Sequence, residues 1–132
     1  MHMLSGRWKT ALFITGLALA VACSPKTRYP DALKAGWNGE DVCECIEDTE
    51  VVRVLQCTFP PGVGHKRHYH APHTGYTLAG STFRITDPTG VREVEVFSGS
   101  SFESDSIEWH EVLNIGDSTA VFYIIEWKEG KN

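Results

Sequence analysis

A succession of short β-type segments separated by glycine- and proline-containing turns is the feature that most constrains the fold of this chain. The segments are rich in β-branched and aromatic residues, and the clearest of them alternates apolar with charged residues, which is typical of a strand with one buried face. They cover residues 51–59, 75–79, 82–86, 91–97, 109–114 and 120–127. Beyond residue 41 the spacing of apolar residues does not favour amphipathic helices. The pattern predicts an all-β protein built as a single small sandwich or barrel.

The length of the chain limits the number of domains, and its charge disfavours nucleic acid as a partner. A chain of 132 residues has room for one domain. The net charge is −5, and the first 22 residues hold two of the 12 basic residues and none of the 17 acidic ones. Because an acidic surface has little attraction for phosphate backbones, we expect no nucleic-acid partner.

The first 22 residues have the layout of a secretory signal peptide. Two basic residues form a positive n-region, and residues 10–22 form an apolar h-region that ends in small residues. This run is shorter than the roughly 20 residues that span a bilayer. The segment ending at Cys23 resembles a bacterial lipoprotein cleavage site, although Ala20 occupies the position usually held by Leu. We predict export, to the periplasm or as a lipoprotein anchored to the membrane through a lipid on Cys23. Ordinary secretion and a retained N-terminal anchor are the alternatives.

The part of the chain after the signal peptide divides into a tether and a domain. Residues 23–40 carry two prolines and two glycines and are predicted to be a tether, followed by a folded domain over residues 41–132. A disulfide from Cys43 or Cys45 to Cys57, with one thiol left over, suits an oxidising compartment. The alternative is that these cysteines are free and buried as small hydrophobic residues.

Histidines are the main candidates for metal-binding residues. Four lie within nine residues, at His65, His68, His70 and His73, and His110 follows forty residues after His70. Residues i and i+2 of a strand project to the same side, so His68 and His70 predict a two-imidazole seat for a transition metal, with His110 as a third ligand. His65 has the opposite parity and is predicted to lie outside the barrel. A solvated surface tract of histidines is the alternative.

The spacing of these residues resembles the two sequence motifs of the cupin superfamily. The first motif reads Gly, five residues, His-x-His, three or four residues, Glu, six residues, Gly; the second reads Gly, five residues, Pro-x-Gly, two residues, His, three residues, Asn. The matching positions in this chain are Gly62, His68, His70, Gly80, Gly99, His110 and Asn114. The resemblance covers approximately residues 45–128 and implies a single jelly-roll β-barrel.

Two departures from the motifs change the expected metal site. His73 occupies the position of the metal-binding Glu, and residues 105–107 replace Pro-x-Gly. Carried over position by position, the resemblance implies His68, His70 and His110 as ligands of a divalent transition metal: Fe, Zn, Mn, Ni or Cu. His73 is then either a fourth ligand or a hydrogen-bonding residue beside the site.

The resemblance also implies a range of functions. The superfamily contains metal-dependent enzymes, among them dioxygenases that use three histidines, and non-catalytic sensor and storage modules. We expect a small-molecule ligand or substrate and, from pairing through an edge strand, a homodimer. The notable aromatic residues of the strands, which supply either the pocket or the core, are Tyr76, Phe83, Phe102, Trp109 and Phe122.

Overall fold

The computed structural model describes residues 28–128, which contain one short helix and nine strands. The elements are α1 (Ala32–Ala35), β1 (Cys43–Asp48), β2 (Val52–Phe59), β3 (Gly64–His70), β4 (His73–Ala79), β5 (Ser81–Asp87), β6 (Gly90–Val96), β7 (Ser101–Ser104), β8 (Ile107–Asn114) and β9 (Ala120–Trp127). The signal peptide and the lipidated Cys23 predicted from the sequence lie outside the described residues. Among residues 28–128, no helix is long and apolar enough to cross a membrane.

Two antiparallel sheets form a jelly-roll barrel. The five-stranded sheet has the order β1-β2-β9-β4-β7, and the four-stranded sheet has the order β3-β8-β5-β6. Every strand pair is antiparallel. The all-β jelly roll expected from the sequence is therefore confirmed.

Alternating apolar positions on facing strands fill the barrel. Along β9 the buried residues are every second one, and β2 contributes Leu55, Cys57 and Phe59 in the same way. Phe59, Phe83 and Phe122 meet edge to face, with ring centroids 5.3–5.9 Å apart. This aromatic cluster joins the two sheets, because Phe83 comes from β5 of the four-stranded sheet.

The glycines and the asparagine of the motifs have structural roles. A Cβ atom on Gly80 would lie 2.0 Å from the carbonyl oxygen of Val96, so only glycine fits between β4 and β5. Gly99 has a φ of 82°, which favours glycine at the turn before β7. Asn114 is fully buried, and its side-chain amide donates to the carbonyl oxygens of Phe59 and Ser118. These residues hold one end of the barrel together.

The stretch predicted to be a tether differs from that expectation in its described part. The backbone N–H groups of Tyr69 and Lys66 donate to the carbonyls of Pro30 and Gly36, each over 3.0 Å. Ala32 is 1% exposed and belongs to the core. The folded unit thus includes residues 30–37, which were predicted to be a tether, because Ala32, Leu33 and Trp37 pack into or against the core and the backbone is hydrogen-bonded to β3.

Candidate metal centre

Three of the predicted ligands converge at one point inside the barrel. His68 and His70 lie on β3, and His110 lies on the neighbouring β8, directly opposite His68. The Nε2 atom of His68 is 2.9 Å from the Nε2 atom of His70 and 2.9 Å from that of His110. All three ligand atoms lie within 4.8 Å of one another, and His68 and His70 are buried. The structure therefore brings together the three histidines that the sequence singled out.

Hydrogen bonds at Nδ1 fix which ring nitrogens face each other. His68 Nδ1 is 2.6 Å from the carbonyl oxygen of Lys66, and His70 Nδ1 is 2.8 Å from Oε1 of Glu126. A carbonyl oxygen and an ionised carboxylate only accept hydrogen bonds, so each Nδ1 carries the hydrogen and each Nε2 presents a lone pair in the neutral ring. With both rings in this tautomer, the lone pairs of His68 and His70 face each other, an arrangement that a cation shared between them would stabilise.

Burial disfavours protonation of His68, so a proton on this ring does not supply that cation. Burial, followed by the neighbouring histidines, lowers the pKa of His68 far below its ordinary value. The same causes lower the pKa of His110 to about 3. Separations of 2.9 Å suit a metal ion, since two nitrogens each about 2.1 Å from one ion lie about 3.0 Å apart at the right angle of an octahedral site and about 3.4 Å apart in a tetrahedral one. The donor set therefore fits a divalent transition metal with three imidazole ligands.

His73 lies beside this trio without belonging to it. It is buried at the start of β4, and its ring centroid is 4.8 Å from that of His70. Its Nδ1 donates to the carbonyl of Ala71 over 2.8 Å, which leaves Nε2 as an acceptor. Burial lowers the pKa of His73, which favours the neutral ring. Direct ligation by His73 stays a prediction.

His65 lies inside the barrel, so the prediction that placed it outside is wrong. Its side chain is 2% exposed, and its ring centroid is 3.8 Å from that of His68. The β3–β8 pairing is regular at His65 and at His68 but shifts between them. A bulge of this kind inserts an extra residue and reverses the alternation, so positions i and i+3 face the same side. Simple counting along the strand cannot detect the bulge.

Replacing His65 with alanine is expected to lower the free energy of unfolding of the metal-free protein by about 2 kcal/mol. The substitution removes a buried ring and leaves the carbonyl of Ala32, 2.8 Å from His65 Nε2, without its donor. Urea denaturation measures the effect, with the exposed neighbour Lys66→Ala as a control that should change stability by less than about 0.5 kcal/mol. Equal stabilities of the two variants would contradict the buried position of His65.

Sequence analysis missed Glu126, a buried carboxylate at the metal site. Glu126 is 3% exposed on β9, accepts from His70 Nδ1, and pairs with Arg53, whose Nε lies 2.8 Å from Oε2. Burial raises the pKa of Glu126, but hydrogen bonds from His70 and Arg53 outweigh this and lower it overall. The signal was present in the alternation of β9, where Glu126 continues the inward series of Phe122 and Ile124.

The fold of this chain is similar to the folds of several solved structures. A cupin domain from Bordetella pertussis Tohama I superposes with a TM-score of 0.63 and 26% sequence identity, covering 67% of this chain and 93% of that one. The chain has the cupin fold. The polyketide cyclase RemF from Streptomyces resistomycificus gives a TM-score of 0.57 at 19% identity, covering 80% and 72% of the two chains. A cupin 2 conserved barrel domain protein from Salinispora arenicola CNS-205 gives 0.50 at 17% identity, covering 67% and 75%.

The similarity to known proteins is found by structure and not by sequence. No protein-family model matches the chain, and no curated protein matches it by sequence. The likeness to solved cupins is therefore a likeness of fold.

The interior of the cupin barrel contains a cavity of about 510 Å³ that reaches all five histidines of residues 28–128. Among the aromatic residues singled out from the sequence, Phe83, Phe102 and Phe122 line this cavity. Tyr76 is instead 42% exposed, and Trp109 packs under the guanidinium of Arg67 at 4.3 Å. The remaining wall combines apolar residues, chiefly valines and isoleucines, with polar residues that include Arg92, Glu95, Glu103 and three serines of the 100–104 segment. The cavity suits a small, largely apolar molecule with a donor atom for a metal.

Proposed function

We propose that this cupin holds one divalent transition metal ion on His68, His70 and His110 and uses it to bind and transform a small, largely apolar molecule. The convergence of the three Nε2 atoms on the wall of the apolar cavity carries this proposal. Three protein ligands leave coordination positions open, which is typical of catalytic rather than structural metal sites. Within this class, we propose an oxidoreductase of the dioxygenase type, for which Fe, Mn, Ni and Cu are the candidate ions; Zn is the candidate ion if the site acts only as a Lewis acid.

Each part of the site has a separate task. The bound ion would supply a Lewis acid or a redox centre. Glu126 accepts the Nδ1 hydrogen of His70, which fixes the orientation of that ring and raises the basicity of its Nε2. The five phenylalanines that line the cavity exclude water and position an apolar ligand against the histidines. In the neutral ring His73 Nε2 carries no hydrogen, so it is available to accept a hydrogen bond from the bound molecule.

A non-catalytic metal- or ligand-binding module is the second candidate function. It is favoured by the proximity of His73 to His70, since a fourth imidazole would close the coordination shell. A closed shell would make the ion structural, or make the protein a sensor or a storage module.

We also propose that the protein acts in the cell envelope, as a periplasmic protein or a membrane-anchored lipoprotein. The Cys43–Cys57 disulfide supports this location, because disulfides persist in oxidising compartments. Homodimerisation stays a prediction.

Metal content and exogenous-ligand binding test the function together. The full chain, purified and reconstituted with each metal, is expected to hold about one ion per chain by elemental analysis. Addition of azide to the Co²⁺ form should then shift the visible absorption spectrum, because azide enters an open position. One ion per chain with a spectrum insensitive to azide would favour the non-catalytic module. No bound metal under any loading condition would refute the metal centre.

A further inference from the structure

A short segment that precedes β1 in the sequence lies beside β3, the strand that carries two of the three proposed ligands. Residues 30–37, here termed the N-terminal strap, run beside β3, which is an edge strand of the four-stranded sheet. The strap accepts hydrogen bonds from Tyr69 and Lys66 of β3, and Asp31 forms a parallel bridge with Tyr69. These contacts flank His68 on both sides along the chain.

The first connection from the strap to the metal site passes through His65. Its Nε2 donates to the carbonyl of Ala32 over 2.8 Å, and its ring lies 3.8 Å from that of His68, centroid to centroid. Because a carbonyl oxygen only accepts hydrogen bonds, the hydrogen of this contact is on His65 Nε2. The strap thereby fixes a ring against which His68 packs.

The second connection is a chain of alternating charges. The Asp31 carboxylate accepts from both terminal nitrogens of Arg53, over 3.2 and 2.6 Å. Arg53 donates in turn to Glu126, which accepts from His70 Nδ1. Arg53 therefore lies between two carboxylates, and one of them is nearly inaccessible to solvent. A buried carboxylate without its cation is costly, so Glu126 depends on Arg53 for its position.

We infer that the N-terminal strap, through Asp31 and Arg53, is a positioning element of the metal centre and sets its affinity for the ion. This inference rests on the proposed metal-binding function. If Asp31 lost its charge, more of the positive charge of Arg53 would fall on Glu126. Glu126 would then be a weaker acceptor for the Nδ1 hydrogen of His70, and His70 Nε2 would be a weaker donor to the metal. Asp31 acts through three intervening side-chain contacts and touches no ligand atom of the site.

The variant Asp31→Asn tests this inference with little change to the local fold. Asp31 caps α1 by accepting from the N–H of Leu33, and asparagine is an equally good capping residue. The substitution therefore spares the cap and replaces one carboxylate oxygen that faces Arg53 with an NH₂ group. We expect the affinity of the full chain for Zn²⁺, measured by chelator competition, to fall about ten-fold. The visible spectrum of the Co²⁺ form should shift as well, because the ligand field that His70 contributes to the ion changes.

A matched control and two further variants distinguish positioning from general destabilisation. Glu93→Gln removes an exposed ion pair with Arg84 and should leave the affinity and the Co²⁺ spectrum unchanged. Asp31→Glu retains the carboxylate and should restore much of the wild-type affinity and spectrum. Arg53→Lys retains the charge but loses the planar fork that joins two carboxylates, so it should reproduce the spectral shift even if Asp31→Asn does not fold.

The outcomes separate the strap from the metal centre itself. Wild-type affinity and spectra in Asp31→Asn and Arg53→Lys, with metal binding lost in His68→Ala, would overturn the role of the strap and leave the metal centre intact. Wild-type metal binding in His68→Ala would instead refute the proposed function.

Discussion

The variant His68→Ala is expected to contain no bound metal when it is purified and reconstituted beside the wild-type chain. His68 is the central member of the trio, since its Nε2 lies 2.9 Å from the Nε2 atoms of both His70 and His110. Its removal leaves two imidazoles on different strands and an empty volume where the third donor lay. Because loss of a residue that only orients a ligand costs about 10–100-fold in affinity, loss of the ligand itself should cost more than about 100-fold.

Elemental analysis and Zn²⁺ competition titration measure this effect. The matched control is Lys66→Ala, an exposed residue of the same strand, which should bind metal like the wild type. A thermal melt of both metal-free variants checks that the barrel is folded. Full metal occupancy in His68→Ala would show that the ion binds somewhere other than at the three converging nitrogens.

Loss of the Cys43–Cys57 disulfide is expected to cost about 3 kcal/mol in the free energy of unfolding, the value for a closed loop of about this size. The two residues lie directly opposite each other on β1 and β2, 14 positions apart in the sequence, and both are buried. The double variant Cys43→Ala/Cys57→Ala removes the cross-link without burying an unpaired hydroxyl. Urea denaturation under oxidising conditions measures the difference.

Cys45→Ala provides the matched control for the disulfide. Cys45 is a free, exposed cysteine two residues from Cys43, and its replacement should change stability by less than about 0.5 kcal/mol. A loss below about 1 kcal/mol in the double variant would mean that the cross-link contributes little, whereas a large loss in Cys45→Ala would point to a different pairing.

Much of the fold could be predicted from the sequence, because the alternation of apolar residues and the turn residues between strands are local features. The segment 120–127 was predicted with the bounds that the structure shows, and the other strong segments match β2, β4, β5, β6 and β8 to within about two residues. β3 was predicted only as an extended stretch at residues 68–70, and β1 and β7 were missed, since β1 lies at a sheet edge with mostly exposed residues and β7 has only four residues. The turn glycines and Asn114 were identifiable because their spacing matches a known pair of motifs.

The sequence by itself identified His68, His70 and His110 as candidate metal ligands, while the tertiary structure alone decided what surrounds them. The alternation of side chains places His68 and His70 on one face, and the second motif identifies His110. Three features required the folded protein: the bulge that turns His65 inward, the β1–β2 register that pairs Cys43 with Cys57, and the contact of Glu126 with His70 across 56 residues. Each depends on which strands become neighbours and in what register. Periodicity along one strand reports which residues share a face, whereas hydrogen bonding to another strand decides which side chains meet.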